Sequence, residues 1–322
     1  SKVAHRKTMN TPGVVIDLPS LTDRDYGYLD GVDPEVVDYV GLSFVRNSQD
    51  IAILKKELDK RGFKADIIAK IENQEAINNI DEIIGVSDAI MVARGDLGVE
   101  VPYQELIHWQ KSIIKKCRDA AKPVITATQM LKSMVDSPRP TRAEVSDVAN
   151  AIYDGTDAVM LSEETTIGNF PVKAVETQAT IAEYNEPFVE LVTPELSGES
   201  TNIDIAISRA AVGLLDKAEG ISKIVCLSET GKTARMLSRF RLKTPIAAVT
   251  STVEVRNKMS LFYGVSAYQA DLKNTNLENE SSLIEKLKAA GVVKTGETII
   301  LIHGATWTEA GMTNSISIQI IE

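Results

Sequence analysis

Cysteine and histidine are scarce in this chain, and their scarcity removes whole classes of chemistry. Of 322 residues, two are cysteine and three are histidine. Cys117 and Cys226 stand more than a hundred residues apart. That leaves no disulfide framework and no thiolate zinc site, and it fits a reducing compartment, so a cytoplasmic location is expected. His5, His108 and His303 have no second His, no Cys and no carboxylate cluster nearby at metal-ligand spacing. A Ser-His-Asp hydrolase or a zinc enzyme would have to be centred on one of these three; a surface or packing role suits each better. Positive charge is also short: 35 Lys and Arg stand against 45 Asp and Glu, a formal −10. The basic footprint of a nucleic-acid binder is absent, and so is one for an anionic lipid surface. Long apolar runs are missing too, since the stretch Thr298–Ile302 is far too short to cross a bilayer. Catalysis is left to carboxylates, lysine and hydroxyls.

What the chain does have is length and a strand–helix rhythm. It is long for one average domain and comfortable for two, with 43% apolar and 25% charged residues in ordinary globular proportion. From about Pro34 to about Glu186, short β-branched runs alternate with amphipathic stretches. The runs are Val36–Phe44, Ile67–Ile71, Ala89–Ala93, Val124–Ala127 and Ala158–Leu161; the stretches include Gln104–Ala121 and Arg142–Ala151. Runs without polar alternation suit parallel strands buried on both faces, and their spacing indicates a parallel α/β architecture. Thr141-Arg-Ala-Glu144, directly after Pro138-Arg-Pro140, reads as a capping box that starts a helix. The polar stretch Val189–Asn202 reads as a linker, giving domains 1–188 and 189–322. The second block predicts strands near Lys223–Leu227, Ile246–Thr250, Val265–Gln269 and Thr298–His303, with Ser315–Ile321 as an edge or terminal strand.

Polar residues of the first block collect where each strand ends. Ala69-Lys-Ile-Glu-Asn73, Ala93-Arg-Gly-Asp-Leu-Gly98, Thr126-Ala-Thr-Gln129 and Leu161-Ser-Glu-Glu-Thr165 follow four successive strands. Alternation along an extended chain points Lys70 and Glu72 the same way, and the carboxyl ends of strands are where α/β barrels keep their active sites. One charged residue after a strand is usually only solvated; four such ends on one rim favour function. Glu72 and Asp96 are hard oxygen ligands suited to Mg²⁺ or Mn²⁺ with open positions for substrate phosphates. Gly95 and Gly98 allow backbone N–H groups to approach an anion. Lys70 would set positive charge against a transferring phosphoryl group or an enolate.

Several of these stretches resemble pyruvate kinase: Ile68-Ala-Lys-Ile-Glu-Asn73, Met91-Val-Ala-Arg-Gly-Asp-Leu-Gly98, Thr126-Ala-Thr-Gln-Met-Leu131 and Pro138-Arg-Pro-Thr-Arg-Ala-Glu144. Ser146-Asp-Val-Ala-Asn150 and the Gly168, Pro171, Ala174-Val175 series fit the same family, and the resemblance runs from about Pro12 to the C-terminus. It implies a catalytic barrel domain followed by a smaller, open-sheet α/β regulatory domain, the first block being the last five strands of a (β/α)₈ barrel. It further implies that Lys70 neutralises the phosphoryl in flight and that Glu72 and Asp96 ligate the divalent metal. Gly95, Asp96 and Thr128 would cradle the carboxylate of phosphoenolpyruvate, and Thr128 and Ser162 would serve protonation of the enol. The implied reaction carries phosphoryl from phosphoenolpyruvate to ADP, giving pyruvate and ATP in glycolysis. K⁺ is expected as well, with its ligands, a phosphoryl-binding arginine and a lid domain in a segment preceding this chain. Little activity is therefore expected of the chain alone, and a homo-oligomer, a tetramer, of the full-length form. The family usually carries Gly where Glu163 stands.

In the second block, Leu227-Ser-Glu-Thr-Gly-Lys-Thr233 ends a strand and opens a helix. It is not a Walker A loop, because Cys226 stands where that loop needs glycine. The resemblance makes Ser228, Thr230, Gly231, Lys232 and Thr233 a phosphate cradle for a regulatory effector, closed by the Gly304–Thr313 loop that carries Trp307. That loop offers Trp307 and Glu309 but no Lys or Arg, and Glu229 adds a further negative charge. Weak or absent response to fructose 1,6-bisphosphate is expected, with a monophosphate effector or none as alternatives. Two other readings compete: a Mg²⁺-dependent lyase or aldolase acting on a pyruvate enolate, and a non-catalytic regulatory fragment.

Overall fold

The computed structural model describes residues 18–190, 194, 203–270, 280–304 and 313–322. Elements follow in the order α1 (Asp23–Asp30), β1 (Tyr39–Leu42), α2 (Ser48–Lys60), β2 (Asp66–Ile71), α3 (Gln74–Asn78), α4 (Ile80–Val86), β3 (Ala89–Ala93) and α5 (Arg94–Glu100). Next come α6 (Leu106–Asp119), β4 (Val124–Ala127), α7 (Arg142–Asp154), β5 (Ala158–Met160), α8 (Glu163–Thr166) and α9 (Pro171–Asn185). The remainder is α10 (Ile203–Leu215), β6 (Ile221–Leu227), α11 (Lys232–Ser238), β7 (Ile246–Thr250), α12 (Val253–Met259), β8 (Val265–Gln269), α13 (Glu280–Ala289), β9 (Thr298–Gly304) and β10 (Thr313–Ile320). Two compact units result. One runs to Cys117 and resumes over Val124–Glu186; the other takes Arg118–Pro123 and the chain from Pro187 onward.

The first unit is built on a parallel sheet in the order β1-β2-β3-β4-β5. Every residue of β3 and β4 is buried, whereas the outer strands β1 and β5 are mostly half-buried. That gradient explains why the central strands read as unbroken apolar runs: both of their faces are covered. Ile67, Ile71, Ile90 and Val92 pack with Leu54 and Leu58 of α2, Ile83 of α4 and Ile113 and Ile114 of α6. Among the described residues the sheet is open, with β1 and β5 each paired on one side.

Helix ends follow local chemistry. The Thr141 hydroxyl accepts from the Glu144 N–H at 3.2 Å while the Glu144 carboxylate accepts from the Thr141 N–H at 2.7 Å, a complete capping box. α7 then runs past Ala151 to Asp154 and is closed by Gly155 in the left-handed region, φ +83°. The expected stretch Gln104–Ala121 is shortened at both ends, to Leu106–Asp119. Pro123 disfavours helical backbone at Lys122, and Ala121 takes φ +50°, outside helical geometry.

The second unit carries a sheet in the order β10-β9-β6-β7-β8, with only β10 antiparallel to its neighbour. The five expected strands are all present; the last, expected over Ser315–Ile321, is the edge strand β10, which starts two residues earlier and ends at Ile320. Its two faces are packed separately, Ile224, Cys226 and Ala248 against Leu237 of α11 on one, Val225 and Val249 against Leu283 and Leu287 of α13 on the other. No described helix is long and apolar enough to cross a membrane.

Candidate active site

Because β1 to β5 are parallel, their carboxyl ends share one edge of the first sheet, and the polar segments that follow them meet there. Lys70 lies one residue before the end of β2 and Glu72 one residue beyond it. Their side chains share a side and form an ion pair of 2.8 Å. Glu72 is 1% exposed, and its second oxygen accepts from the Phe44 N–H at 2.6 Å. Lys70 also donates to the Ser43 hydroxyl at 2.9 Å. Ser43 and Phe44 follow β1, so a buried carboxylate and a lysine join the ends of two strands.

The segment after β3 is helical from Arg94 onward, not a loop, and α5 has no side-chain cap at its start. The Gly95 N–H in its first turn donates to the Thr128 hydroxyl at 2.7 Å. A Cβ on Gly95 would lie 3.3 Å from that hydroxyl oxygen, which explains the glycine. Thr128 and Gln129 both take positive φ, +68° and +54°. For β-branched threonine this is strained backbone, worth about 1–3 kcal/mol, and it persists only where surroundings impose it. Arg94 imposes it: the guanidinium donates to the Thr128 carbonyl at 2.8 Å and pairs with Asp147 of α7 at 2.7 Å. Asp96 stands partly exposed one residue after Gly95.

Ser162 follows β5, and its N–H donates to Glu164 at 2.8 Å. Glu164 is buried, and its other oxygen accepts from the Leu131 N–H at 3.0 Å, tying the turns after β4 and β5 together. Glu144 reaches the same region, accepting from the Ser133 N–H at 2.6 Å. Burial alone would raise the Glu144 carboxyl, but the Ser133 and Thr141 donors outweigh it and hold the group below the usual range. Glu163 is half exposed and ion-paired with Lys132.

Three groups therefore form around the proposed residues: Lys70 with Glu72, Gly95 with Thr128, and Ser162 tethered through Glu164 to the turn after Thr128. Among the described residues no cluster of three metal-type ligands forms. The donor set still fits a hard divalent cation. Glu72 and Asp96 come from adjacent strand ends, and each Glu72 oxygen keeps a second lone-pair direction, so substrate and water oxygens would complete the shell. Ser43, Arg94, Asp147 and Glu164 were not among the residues the sequence singled out. Arg94, Asp147 and Glu164 lay inside the quoted segments, and a side chain of this kind becomes visible only once its partners are placed.

In the second unit, Ser228 is buried with its hydroxyl lacking a hydrogen-bond partner among the described residues. Thr230 is exposed. Gly231 caps α11 at φ +75°, and a Cβ there would meet Met259 at 3.4 Å. Lys232 is ion-paired with Asp204, whose other oxygen accepts from the Thr313 N–H at 3.0 Å. The hydroxyls of Thr233 and Thr313 are 2.7 Å apart. Glu229 accepts from the Ser251 N–H at 3.1 Å. Burial pushes the Cys226 thiol up to about 12, so it is an inert core group. Trp307 and Glu309 lie outside the described residues.

Comparison with known proteins decides the ancestry. The family model "Pyruvate kinase, barrel domain" matches residues 1–175, and "Pyruvate kinase, alpha/beta domain" matches residues 205–319. The chain belongs to the pyruvate kinase family. A pyruvate kinase of Clostridium acetobutylicum is 42% identical across 99% of this chain and 68% of its own length. One of Bacillus licheniformis is 42% identical across 98% of this chain and 54% of its own length. "Pyruvate kinase 2" of Synechocystis is 43% identical across 99% of this chain, again 54% of its own length. The chain thus spans between about half and two thirds of these relatives.

Proposed function

We propose that this chain carries the phosphoenolpyruvate- and metal-binding part of a pyruvate kinase, transferring phosphoryl from phosphoenolpyruvate to ADP to give pyruvate and ATP in glycolysis. The observation that carries this reading is the convergence, at one sheet edge, of the Lys70–Glu72 pair and the Gly95–Thr128 contact. The Lys70 ammonium neutralises charge on the phosphoryl group as it leaves the enol oxygen. Glu72 and Asp96 would hold Mg²⁺ or Mn²⁺, which would supply Lewis-acid charge stabilisation there. The Gly95 N–H, the first turn of α5 at Asp96 and the Thr128 hydroxyl receive the substrate carboxylate. Thr128 and Ser162 are assigned to protonation of the enol carbon, with the proton delivered through water. K⁺, a cytoplasmic setting and a tetrameric full-length form belong to the same reading.

The second unit is read as a regulatory domain with its effector site at Ser228, Thr230, Gly231, Lys232, Thr233 and Trp307. Its cationic capacity is low, since Lys232 is already paired with Asp204 and Glu229 stands in the same loop. Poor binding of fructose 1,6-bisphosphate follows.

The test incubates the 322-residue chain with phosphoenolpyruvate, Mg²⁺, K⁺ and ADP and measures both products. Pyruvate and ATP released one for one, even slowly and far below a full-length relative, support the reading. Pyruvate and inorganic phosphate without ATP would show hydrolysis in place of transfer and contradict the reading, and release of pyruvate from an added aldol adduct, with phosphoenolpyruvate untouched, would replace it with the enolate lyase. Calorimetry of the same sample with fructose 1,6-bisphosphate is expected to give no saturable heat.

A further inference from the structure

Two consecutive carboxylates follow Ser162, and they are used differently. Glu164 is buried, with its oxygens committed to the backbone N–H groups of Leu131 and Ser162. Glu163 contributes nothing to that core link. Its side chain is 50% exposed and reaches across to Lys132, itself 56% exposed, in the turn after β4. The same two turns are therefore bridged twice, once by a buried carboxylate hydrogen-bonded to backbone N–H groups and once by an exposed ion pair.

An exposed pair adds little to stability, typically well under 1 kcal/mol, so its meaning is sought in charge. Glu163 places a full negative charge directly beside Ser162, on a rim read above as the receiver of a phosphorylated carboxylate. Unpaired, it would repel that substrate. We propose that Lys132 is the counter-charge that makes Glu163 compatible with anion binding at this rim, an affinity-determining residue that touches no reacting atom. The proposal rests on the pyruvate kinase reading of the site.

Its size follows from distance and screening. Lys132 is four residues from Thr128, so their Cα atoms are at most about 14 Å apart. At about 10 mM ionic strength the screening length is about 30 Å, and charges at that separation interact almost unattenuated; at about 1 M it is about 3 Å. One uncompensated charge acting on a multiply charged anion across about 10 Å changes affinity roughly three- to tenfold.

The experiment measures phosphoenolpyruvate affinity in the presence of Mn²⁺ for the wild type, Lys132→Met, Glu163→Gln and the double variant, at about 10 mM and about 1 M salt. At low salt Lys132→Met is expected to bind about three- to tenfold more weakly and Glu163→Gln more tightly, while the double variant returns to the wild-type value. All differences are expected to collapse at high salt. An unchanged Lys132→Met affinity, or equal losses in both single variants, would overturn the proposal. Thermal unfolding of the same four proteins reads the ion pair independently of ligand, with about 1–2 °C of coupling expected at low salt; no coupling would dismiss the pair itself. A wild type that binds no phosphoenolpyruvate would instead remove the reading beneath the proposal and the proposal with it.

Discussion

Glu144 shows how much a single side chain can fasten. It accepts from the N–H groups of Thr141 and Ser133, and so anchors the start of α7 to the turn that follows the strained Thr128. Its carboxyl is held below the ordinary glutamate value, because these donors outweigh the opposing effect of burial. A depressed value means that the contribution is fully present above the unfolded group's titration near about 4.3 and is lost as the pH falls through the folded one. Glu144→Gln keeps the shape and removes the charge. We expect it to lower stability by about 1 kcal/mol and Tm by roughly 2–4 °C at neutral pH. Melting both proteins across acid pH checks this, since the gap should close as the wild-type carboxyl protonates; a pH-independent gap would deny the charge a role. The Thr141–Glu144 half of this arrangement was legible in the sequence, because a capping box is a local pattern. The Ser133 half was not, because no short-range rule says which turn a cap residue will also meet.

At the scale of elements, the strands were the legible part and the helix boundaries less so. Runs such as Ala89–Ala93 and Val124–Ala127 are buried on both faces, and burial of that kind leaves a mark in composition. The helix over Arg94–Glu100 was hidden, since it lacks a capping side chain and carries two glycines, both poor signals of a helix. Gly168 illustrates the tertiary part of an element's design. It closes α8 against the turn after β4, where a Cβ would lie 2.4 Å from the Glu164 carbonyl oxygen and 3.2 Å from the Val135 Cα. Backbone atoms cannot step aside, so Gly168→Ala is expected to lower Tm by about 5 °C or more. A melting curve within about 1 °C of wild type would show that this turn yields more easily than its packing implies.

At the scale of the molecule, two units of unlike sheet topology are proposed to carry two kinds of site. The first is open among the described residues, its outer strands half-buried and paired on one side, and the chain spans 54% of the length of the Bacillus licheniformis relative. The strands of both sheets followed from the sequence, and the first sheet keeps them in chain order as parallel α/β chains tend to do; the order of the second was not legible, because β9 returns to pair with β6. The links across strand ends did not follow. Arg94 to Asp147, Glu72 to Phe44 and Glu164 to Leu131 join residues 53, 28 and 33 positions apart. The central claim is that one edge of the first sheet binds a phosphorylated carboxylate together with a divalent cation. Its most direct test is calorimetric titration of the chain with phosphoenolpyruvate, with and without Mn²⁺, alongside Lys70→Met, Glu72→Gln and Asp96→Asn. Saturable binding that requires the cation and weakens at least tenfold in each variant is the expected result, each variant removing a charge from the ligand's immediate surroundings. No binding, or binding indifferent to Mn²⁺ and to all three substitutions, would contradict the account.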